Sequence, residues 1–312
     1  SIYYFMTSTL INIDWIHVSV AVKHDPQLIS RGIVVHLDNQ WNMATAVHHY
    51  KAQTLRSSFE NTLWIKPSTT GSIEISGNFY KFLNHHNVTG TDDLVGLVTD
   101  LIQHLATLDM GIEPTEQELK DLQDGKFRLF RVDVNKAILF ESKVAALDYL
   151  EHLKNTASYP YRKKTIYSNG VYFGMRSKRW CLKFYHKGTE VQVHKSGEFP
   201  LDDELKAIAD LMVRAEMRIN SQQLKDWDLA FGHQWSKDIA HSLLERTLSK
   251  LEVPTKPVAA EEPKFESSAD RKFYKCWLDG DAEICYSLRT IQRYTKRFLH
   301  EYGINITKST TI

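Results

Sequence analysis

Apolar and polar residues alternate along several stretches of this chain, and such alternation predicts β-strands with two different faces. In residues 71–77, Ile73 and Ile75 point to one side, and Glu74 points to the other with its serine neighbours. Residues 14–23 alternate in the same way. Further strands are predicted over residues 32–37, 59–66, 127–135, 171–175, 179–185 and 211–219.

Apolar residues spaced three or four positions apart predict α-helices. The clearest case is residues 92–108, where Thr91 is expected to be the N-cap and Leu, Ile and Val form one apolar stripe. A stripe of this kind covers a hydrophobic core. Shorter helices are predicted over residues 113–124, 142–154 and 236–250.

Four of the predicted strands carry apolar side chains on one face and charged or phenolic side chains on the other. If they are neighbours, the chain forms an α+β domain with a central antiparallel β-sheet flanked by helices. Their polar positions would then gather on one face of that sheet. These positions are Glu74, Arg131, Asp133, Lys183, Tyr185, Arg214 and Glu216.

The chain is predicted to have two domains. Residues 252–268 hold three of the eight prolines and are predicted to form an extended linker. We therefore expect a large domain over residues 10–250, a linker over 251–268 and a small helical domain over 269–312.

The predicted small domain contains a basic helix at residues 287–300, which carries four basic residues and no acid. A shorter helix precedes it, and this order is typical of a helix-turn-helix whose second helix enters a DNA groove. An ordinary solvated helix surface is the alternative.

Positive charge is concentrated in one segment, although the net charge of the 312-residue chain is only +1. Between Arg162 and Lys195 there are nine Lys or Arg residues against one acid, Glu190. Such a segment favours an anionic partner, and any nucleic-acid surface must be local. A solvated sheet face is the alternative. Tyr167 and Tyr172 in this segment are expected to be packing or turn residues.

The polar face suggests phosphoryl chemistry. Carboxylates that lie close together repel, so each needs an arginine or a metal ion, and oxygen ligands suit Mg²⁺ or Mn²⁺. A phenolate of Tyr185 could attack a phosphodiester if Lys183, Lys187 or the ion helped it to ionise. Exposed pairs of arginine and carboxylate, with no chemical role, are the alternative.

The cysteine content and the apolar runs indicate the cellular compartment. The three cysteines are odd in number and lack CxxC spacing, which argues against a disulfide framework or a zinc site. Apolar runs are far shorter than a membrane span, and SIYYFMTSTL lacks the features of a secretory signal. A cytoplasmic location is therefore expected.

Five segments of the chain form a recognisable series in their order and spacing. They are IDWIHVSVAVKHDP near the start, SGNFYKFLNHHNVTGTDDL at 76–94, LFRVDVN at 129–135, TIYSNGVYFGMRSKRWCLKFYHKGTEV at 165–191 and VRAEMRI at 213–219. Together they resemble the gene II/X replication initiators of filamentous bacteriophages, and the resemblance covers about residues 10–230.

This resemblance implies that the chain has a fold like that of rolling-circle initiators. It also implies that the chain is a nickase, which acts in the cytoplasm of a bacterial host. Such an enzyme nicks double-stranded origin DNA, stays bound to the 5′ end through a phosphotyrosine, and leaves a 3′ hydroxyl for host replication proteins. It later rejoins the displaced single-stranded DNA.

The resemblance also implies roles for individual residues. Tyr185 matches the nucleophile of a YxKG motif, with Lys187 as the adjacent cation. Lys183 is a catalytic candidate from the sequence pattern alone, as a lysine that could help Tyr185 to ionise. Metal ligands are implied at Asp133 and Glu216, with Glu74 and His86 as further candidates, although His85 stands where the family pattern has glycine. Apart from the resemblance, basic residues are expected to contact DNA at Arg131, Arg162, Lys163, Lys164, Arg176, Lys178, Arg179, Arg214, Arg218, Arg289, Arg293 and Arg297.

Two other functions would also explain these features of the sequence. A non-catalytic origin-binding or repressor protein would use the basic segment and the C-terminal helix only to hold DNA. A conjugative relaxase or a transposase would share the chemistry but serve a different pathway.

Overall fold

The computed structural model describes residues 11–37, 39, 47–57, 61–68, 71–193, 201–254, 265, 267–278, 282–302 and 306. Most of the predicted linker, the first two residues of the strand predicted at 59–66, and the last residues of the chain lie outside these ranges.

Nine strands of the described residues form one antiparallel sheet in the order β4-β5-β6-β1-β7-β11-β10-β9-β8, and β2 pairs separately with β3. The strands are β1 (Ile11–Ala21), β2 (Ile33–His36), β3 (Val47–Tyr50), β4 (Gln53–Arg56), β5 (Thr62–Pro67), β6 (Ser72–Gly77), β7 (Arg128–Leu139), β8 (Lys164–Tyr167), β9 (Gly170–Phe173), β10 (Trp180–His186) and β11 (Met212–Asn220).

The helices of the described residues lie between and after these strands. They are α1 (Pro26–Ile29), α2 (Phe79–Asn84), α3 (Leu94–Ala106), α4 (Glu116–Gln123), α5 (Lys143–Thr156), α6 (Lys187–Val193), α7 (Asp203–Asp210), α8 (Ser221–Asp226), α9 (Lys237–Leu248), α10 (Ser268–Leu278), α11 (Ala282–Cys285) and α12 (Leu288–Glu301).

The sheet order confirms the α+β prediction. The four strands with the predicted polar positions are β6, β7, β10 and β11, and they are neighbours apart from β1, which lies between β6 and β7. On β7, Val132 and Val134 are fully buried on the apolar face. Asp133 and Asn135 on the other face are only 1% exposed, so the polar face of the sheet is also covered here.

Helix α9 packs against β1 and β7 on the apolar face. Its Thr247 hydroxyl donates a hydrogen bond to the sulfur of Met217 on β11. Helix α3 contributes the apolar stripe that the sequence predicted, with Leu101 and Ile102 fully buried. Its N-cap is Asp93 rather than Thr91, because the Asp93 carboxylate accepts from the Gly96 N–H and Thr91 instead accepts from the Asp93 N–H.

Residue contacts divide the chain into two compact units, one of Ser1–Glu151 with Ser158–Leu251 and one of His152–Ala157 with Glu252–Ile312. The second unit has its own aromatic core around Phe273 and Phe298. Its role as a helix-turn-helix stays a prediction. Among the described helices, none is long and apolar enough to cross a membrane.

Candidate active site on the polar face of the sheet

Strand register brings the predicted nucleophile and its partners together. Lys183 of β10 pairs with Glu216 of β11, and Tyr185 pairs with Arg214. Cross-strand partners point to the same side of a sheet. These four side chains therefore share one face, which we call the polar face.

Tyr185 and Glu216 are directly connected. The Tyr185 hydroxyl donates a hydrogen bond to Oε2 of Glu216 at 3.1 Å, and Nζ of Lys183 lies 2.7 Å from Oε1 of the same carboxylate. Lys183 also lies 5.0 Å from the centre of the Tyr185 ring. A phenol, a carboxylate and an ammonium group thus form one chain of contacts.

Burial shifts the proton affinities of this pair. The pKa of Glu216 is raised to about 7, because desolvation and the nearby charges of Asp14 and Asp133 outweigh the opposing charge of Lys183. Burial and the Glu216 charge together raise the pKa of Tyr185 well above its usual value. Burial thus makes the Glu216 carboxylate more basic, and the Tyr185 phenol keeps its proton until a base accepts it.

Arg214 is the cation that favours ionisation of Tyr185, since its charge lowers the Tyr185 pKa. The sequence suggested Lys187 or Lys183 for this role, and that suggestion stays a prediction. Arg214 is 0% exposed, and its NH2 group donates to the carbonyl oxygens of Asn87 and Val88 at 2.6 and 3.1 Å. Arg214 is therefore enclosed by protein in this structure, and its expected DNA contact stays a prediction.

Lys187 does not continue strand β10 but begins helix α6, and it is also 0% exposed. Its Nζ donates to Oδ1 of Asn87 at 2.8 Å and to Oε2 of Glu190 at 2.5 Å. Burial, aided by the nearby charge of Arg214, lowers the Lys187 pKa to about 8. Lys187 therefore ties α6 to the segment that precedes α3.

Asp14 is a member of this site that the sequence analysis missed. Its Oδ1 accepts hydrogen bonds from Asn78 and Asn87 at 2.6 and 3.0 Å and lies 3.9 Å from NH1 of Arg214. Burial alone would raise the Asp14 pKa, but Arg214 and Lys187 outweigh it and hold the pKa below its usual value. The pairing of β1 with β7 shifts register at Asp14, and such a bulge re-aims a side chain.

The four residues expected to bind a metal have other partners. Both oxygens of Asp133 accept from Arg131, at 2.7 and 2.5 Å, and Glu74 lies 3.4 Å from His17. Glu216 is paired with Lys183 as described above. His86 packs edge-on against Tyr80, and its Nδ1 is buried without a hydrogen-bond partner.

Within the described residues, no group of three or more His, Cys, Asp or Glu side chains is placed to hold a metal ion. The side chains expected to form a ligand set are therefore not gathered into one. The predicted roles of the individual residues stay predictions.

The expected DNA contacts differ in their surroundings. Lys163, Arg176 and Lys178 are exposed. Arg179 is exposed but pairs with Asp226. Arg162 lies over the Trp180 ring at 3.5 Å and donates to the Trp180 carbonyl, so its first role is to hold the hairpin of β9 and β10 in place.

The remaining expected contacts lie on strands β7, β8 and β11 and on helix α12. Arg131 and Arg218 both face Asp133, and Lys164 begins strand β8. On α12, Arg289 and Arg293 are exposed. Arg297 lies 2.8 Å from each of Asp270 and Glu301, and Asp270 is fully buried, so Arg297 stabilises the second unit.

Three comparisons relate the chain to known proteins. Residues 12–238 match the family model that describes the N-terminal region of a phage replication-associated protein. The chain is 23% identical over 308 residues to the replication-associated protein of Enterobacteria phage I2-2, and the match covers 94% of this chain and 87% of that protein. A solved rolling circle replication initiator protein from Geobacillus stearothermophilus aligns with a TM-score of 0.34 and 10% identity, over 82% of this chain and 90% of that one.

Proposed function

The chain belongs to the phage replication-associated protein family, and from that premise we propose that it initiates rolling-circle replication by nicking and rejoining origin DNA. In this proposal Tyr185 becomes covalently joined to the 5′ phosphate of the nicked strand. The partners are double-stranded origin DNA, the displaced single strand and host replication proteins.

The observation that carries the proposal is the 3.1 Å hydrogen bond from Tyr185 to Glu216. A nucleophile and its base must lie within hydrogen-bond reach, and this pair does. The Glu216 pKa of about 7 also suits a group that accepts a proton near neutral pH.

The chemistry follows from these positions. Glu216 accepts the phenolic proton, and the Tyr185 oxygen attacks the phosphorus of the scissile phosphodiester. The bond from phosphorus to the 3′ oxygen breaks, and the 3′ oxygen takes a proton to become a hydroxyl. Rejoining reverses these steps, because the 3′ hydroxyl attacks the phosphotyrosine and Tyr185 leaves with its proton restored.

Cations around the pair would offset the negative charge that develops during attack. Lys183 contacts Glu216 and faces the Tyr185 ring, and Arg214 stands opposite Tyr185 in the strand register. Tyr185 is 7% exposed, so the proposal requires that DNA binding uncovers its hydroxyl.

A divalent ion, Mg²⁺ or Mn²⁺, is part of the proposal because cations of this type neutralise charge in phosphoryl transfer. Within the described residues, the side chains expected to bind it do not form a ligand set by themselves, and none of the steps above uses it.

A gel assay tests the proposed function. Supercoiled origin plasmid is incubated with protein and Mg²⁺ or Mn²⁺. One half of each reaction is run on a native gel to detect binding, and the other half is run after SDS treatment, which removes bound protein and leaves the duplex intact. Open circles are expected with the parent protein and not with Tyr185→Phe, which should still bind the origin. A protein that only binds or represses the origin would shift DNA mobility and leave the plasmid supercoiled.

A further inference from the structure

We propose that Tyr167, Tyr172 and Met175 form a stacking surface for unpaired bases of the DNA strand that Tyr185 cuts. We call these three residues the aromatic shelf. The inference rests on the proposed function, since it names a binding surface for the same substrate next to the same site.

The strand register places the shelf on the polar face. Tyr172 of β9 pairs with Lys183, and Gly170 pairs both with Tyr185 of β10 and with Tyr167 of β8. Side chains at paired positions point to the same side. Tyr167 and Tyr172 therefore extend the face that carries Lys183 and Tyr185 out to the edge strand of the sheet.

Glycine at position 170 keeps the row between Tyr185 and Tyr167 free of a side chain. A Cβ atom there would lie 2.3 Å from the Phe184 carbonyl oxygen and 3.2 Å from Cβ of Tyr185. Those distances are too short for any larger residue without movement of the backbone.

The shelf is held together by its own contacts and remains open to solvent. The Tyr167 and Tyr172 rings lie 5.1 Å apart at 73°, and the Tyr167 hydroxyl donates to the Met175 sulfur at 2.6 Å. Tyr167 is 39% exposed and Met175 44%. Scattered exposed apolar residues are ordinary, but here exposed Tyr167 contacts both exposed Met175 and half-buried Tyr172 beside a candidate active site, which favours a binding surface.

Charge identifies the occupant as a nucleic acid. No acidic residue occurs in the sequence between Glu151 and Glu190. Exposed Lys163, Arg176 and Lys178 lie close in sequence to the shelf residues. Aromatic rings on a segment rich in basic residues suit single-stranded DNA, whose bases stack on rings and whose phosphates meet cations. Bases within a duplex are already stacked, so duplex DNA would gain little from the shelf.

Fluorescence anisotropy with a labelled single-stranded origin oligonucleotide tests the inference. The full chain carrying Tyr185→Phe serves as the parent, so that no cleavage occurs. The double variant Tyr167→Ala/Tyr172→Ala should weaken binding about tenfold or more, whereas Tyr167→Phe/Tyr172→Phe should bind like the parent because the rings remain. Phe231→Ala is the matched control, because Phe231 is also an exposed aromatic residue, at 44%. Its backbone pairs with Arg128 of β7 and not with the strands that carry the aromatic shelf.

The outcomes separate this inference from the proposed function. Unchanged single-strand affinity in the alanine variant would overturn the shelf, even if the protein with Tyr185 intact still nicks supercoiled origin DNA. Weakened binding in the alanine variant supports the shelf even if nicking is never observed. If the alanine variant melts early, Tyr167→Leu/Tyr172→Leu replaces it, because leucine fills the site without a ring. Equal loss for a duplex oligonucleotide would also contradict the inference.

Discussion

The hydroxyl of Tyr185 lies 3.1 Å from Oε2 of Glu216, although the two residues are 31 positions apart in the sequence. The contact exists because β10 and β11 are antiparallel neighbours whose polar faces coincide. A phenol and a buried carboxylate in this geometry can exchange a proton directly, and the account of nicking depends on that exchange.

Nicking should become faster as pH rises through about 7. Glu216 accepts a proton only when ionised, and burial raises its pKa to about 7, so the active fraction grows over pH 6–8. Single-turnover nicking at saturating DNA measures this. Glu216→Gln should lower the rate at least 100-fold, in the range of general-base losses, and should remove the pH dependence. A parent rate that is flat or falls across this range would contradict the role of Glu216.

Replacing Lys187 should destabilise the fold. In Lys187→Met, Glu190 loses its cation and Asn87 loses a hydrogen-bond donor in a buried setting. We expect a loss of about 2–3 kcal/mol in the free energy of unfolding, measured by urea denaturation. Lys206→Met is the control, because Lys206 pairs with Asp203 on the surface and its loss should leave the midpoint unchanged. Similar losses in both variants would show that the buried contacts of Lys187 add no more to the free energy of unfolding than a surface ion pair does.

Two arginines of α12 should behave differently. Arg297→Ala should lower the melting temperature, because the buried carboxylate of Asp270 loses its guanidinium partner. Arg293→Ala should leave the melting temperature unchanged. If α12 contacts DNA phosphates, Arg293→Ala should also reduce the salt-dependence slope of DNA binding by about one. Identical melting of the two variants would refute the structural role of Arg297.

Chelation tests the metal proposal. Nicking of supercoiled origin DNA should stop in EDTA and return when Mg²⁺ or Mn²⁺ is added in excess. Origin binding, measured in parallel by mobility shift, should persist in EDTA. Full nicking activity in EDTA would remove the divalent ion from the account and leave the charge stabilisation to Lys183 and Arg214.

The sequence predicted the central strands and their faces because alternation is a local property. Strands β1, β6, β7, β10 and β11 lie where the pattern placed them, within a few residues. The fold class followed from these strands and from the apolar stripe of α3. The family resemblance added the emphasis on Tyr185, and the role of that residue stays a prediction.

Other features could not be predicted from local patterns. Helix α6 contains Gly188, Thr189 and two valines, which disfavour a helix, but Val191 packs against the cluster of Val88, Ala209 and Met212. Packing between distant segments thus outweighs the local preference.

The burial of the polar face also could not be predicted from the sequence. The sequence pattern suggested that Lys187 and Arg214 are exposed cations. In the structure, contacts with the segment around Asn87 enclose both side chains. Asp14 was overlooked because the bulge in β1 interrupts the alternation on which the strand prediction relied.

Transfer of radiolabel from DNA to protein tests the central claim most directly. A single-stranded origin oligonucleotide is labelled at the scissile phosphate, incubated with the protein, and the protein is digested and mapped by mass spectrometry. The account predicts one labelled peptide with the phosphate on Tyr185 and none from Tyr185→Phe. Label on another residue, or undiminished transfer in Tyr185→Phe, would contradict it.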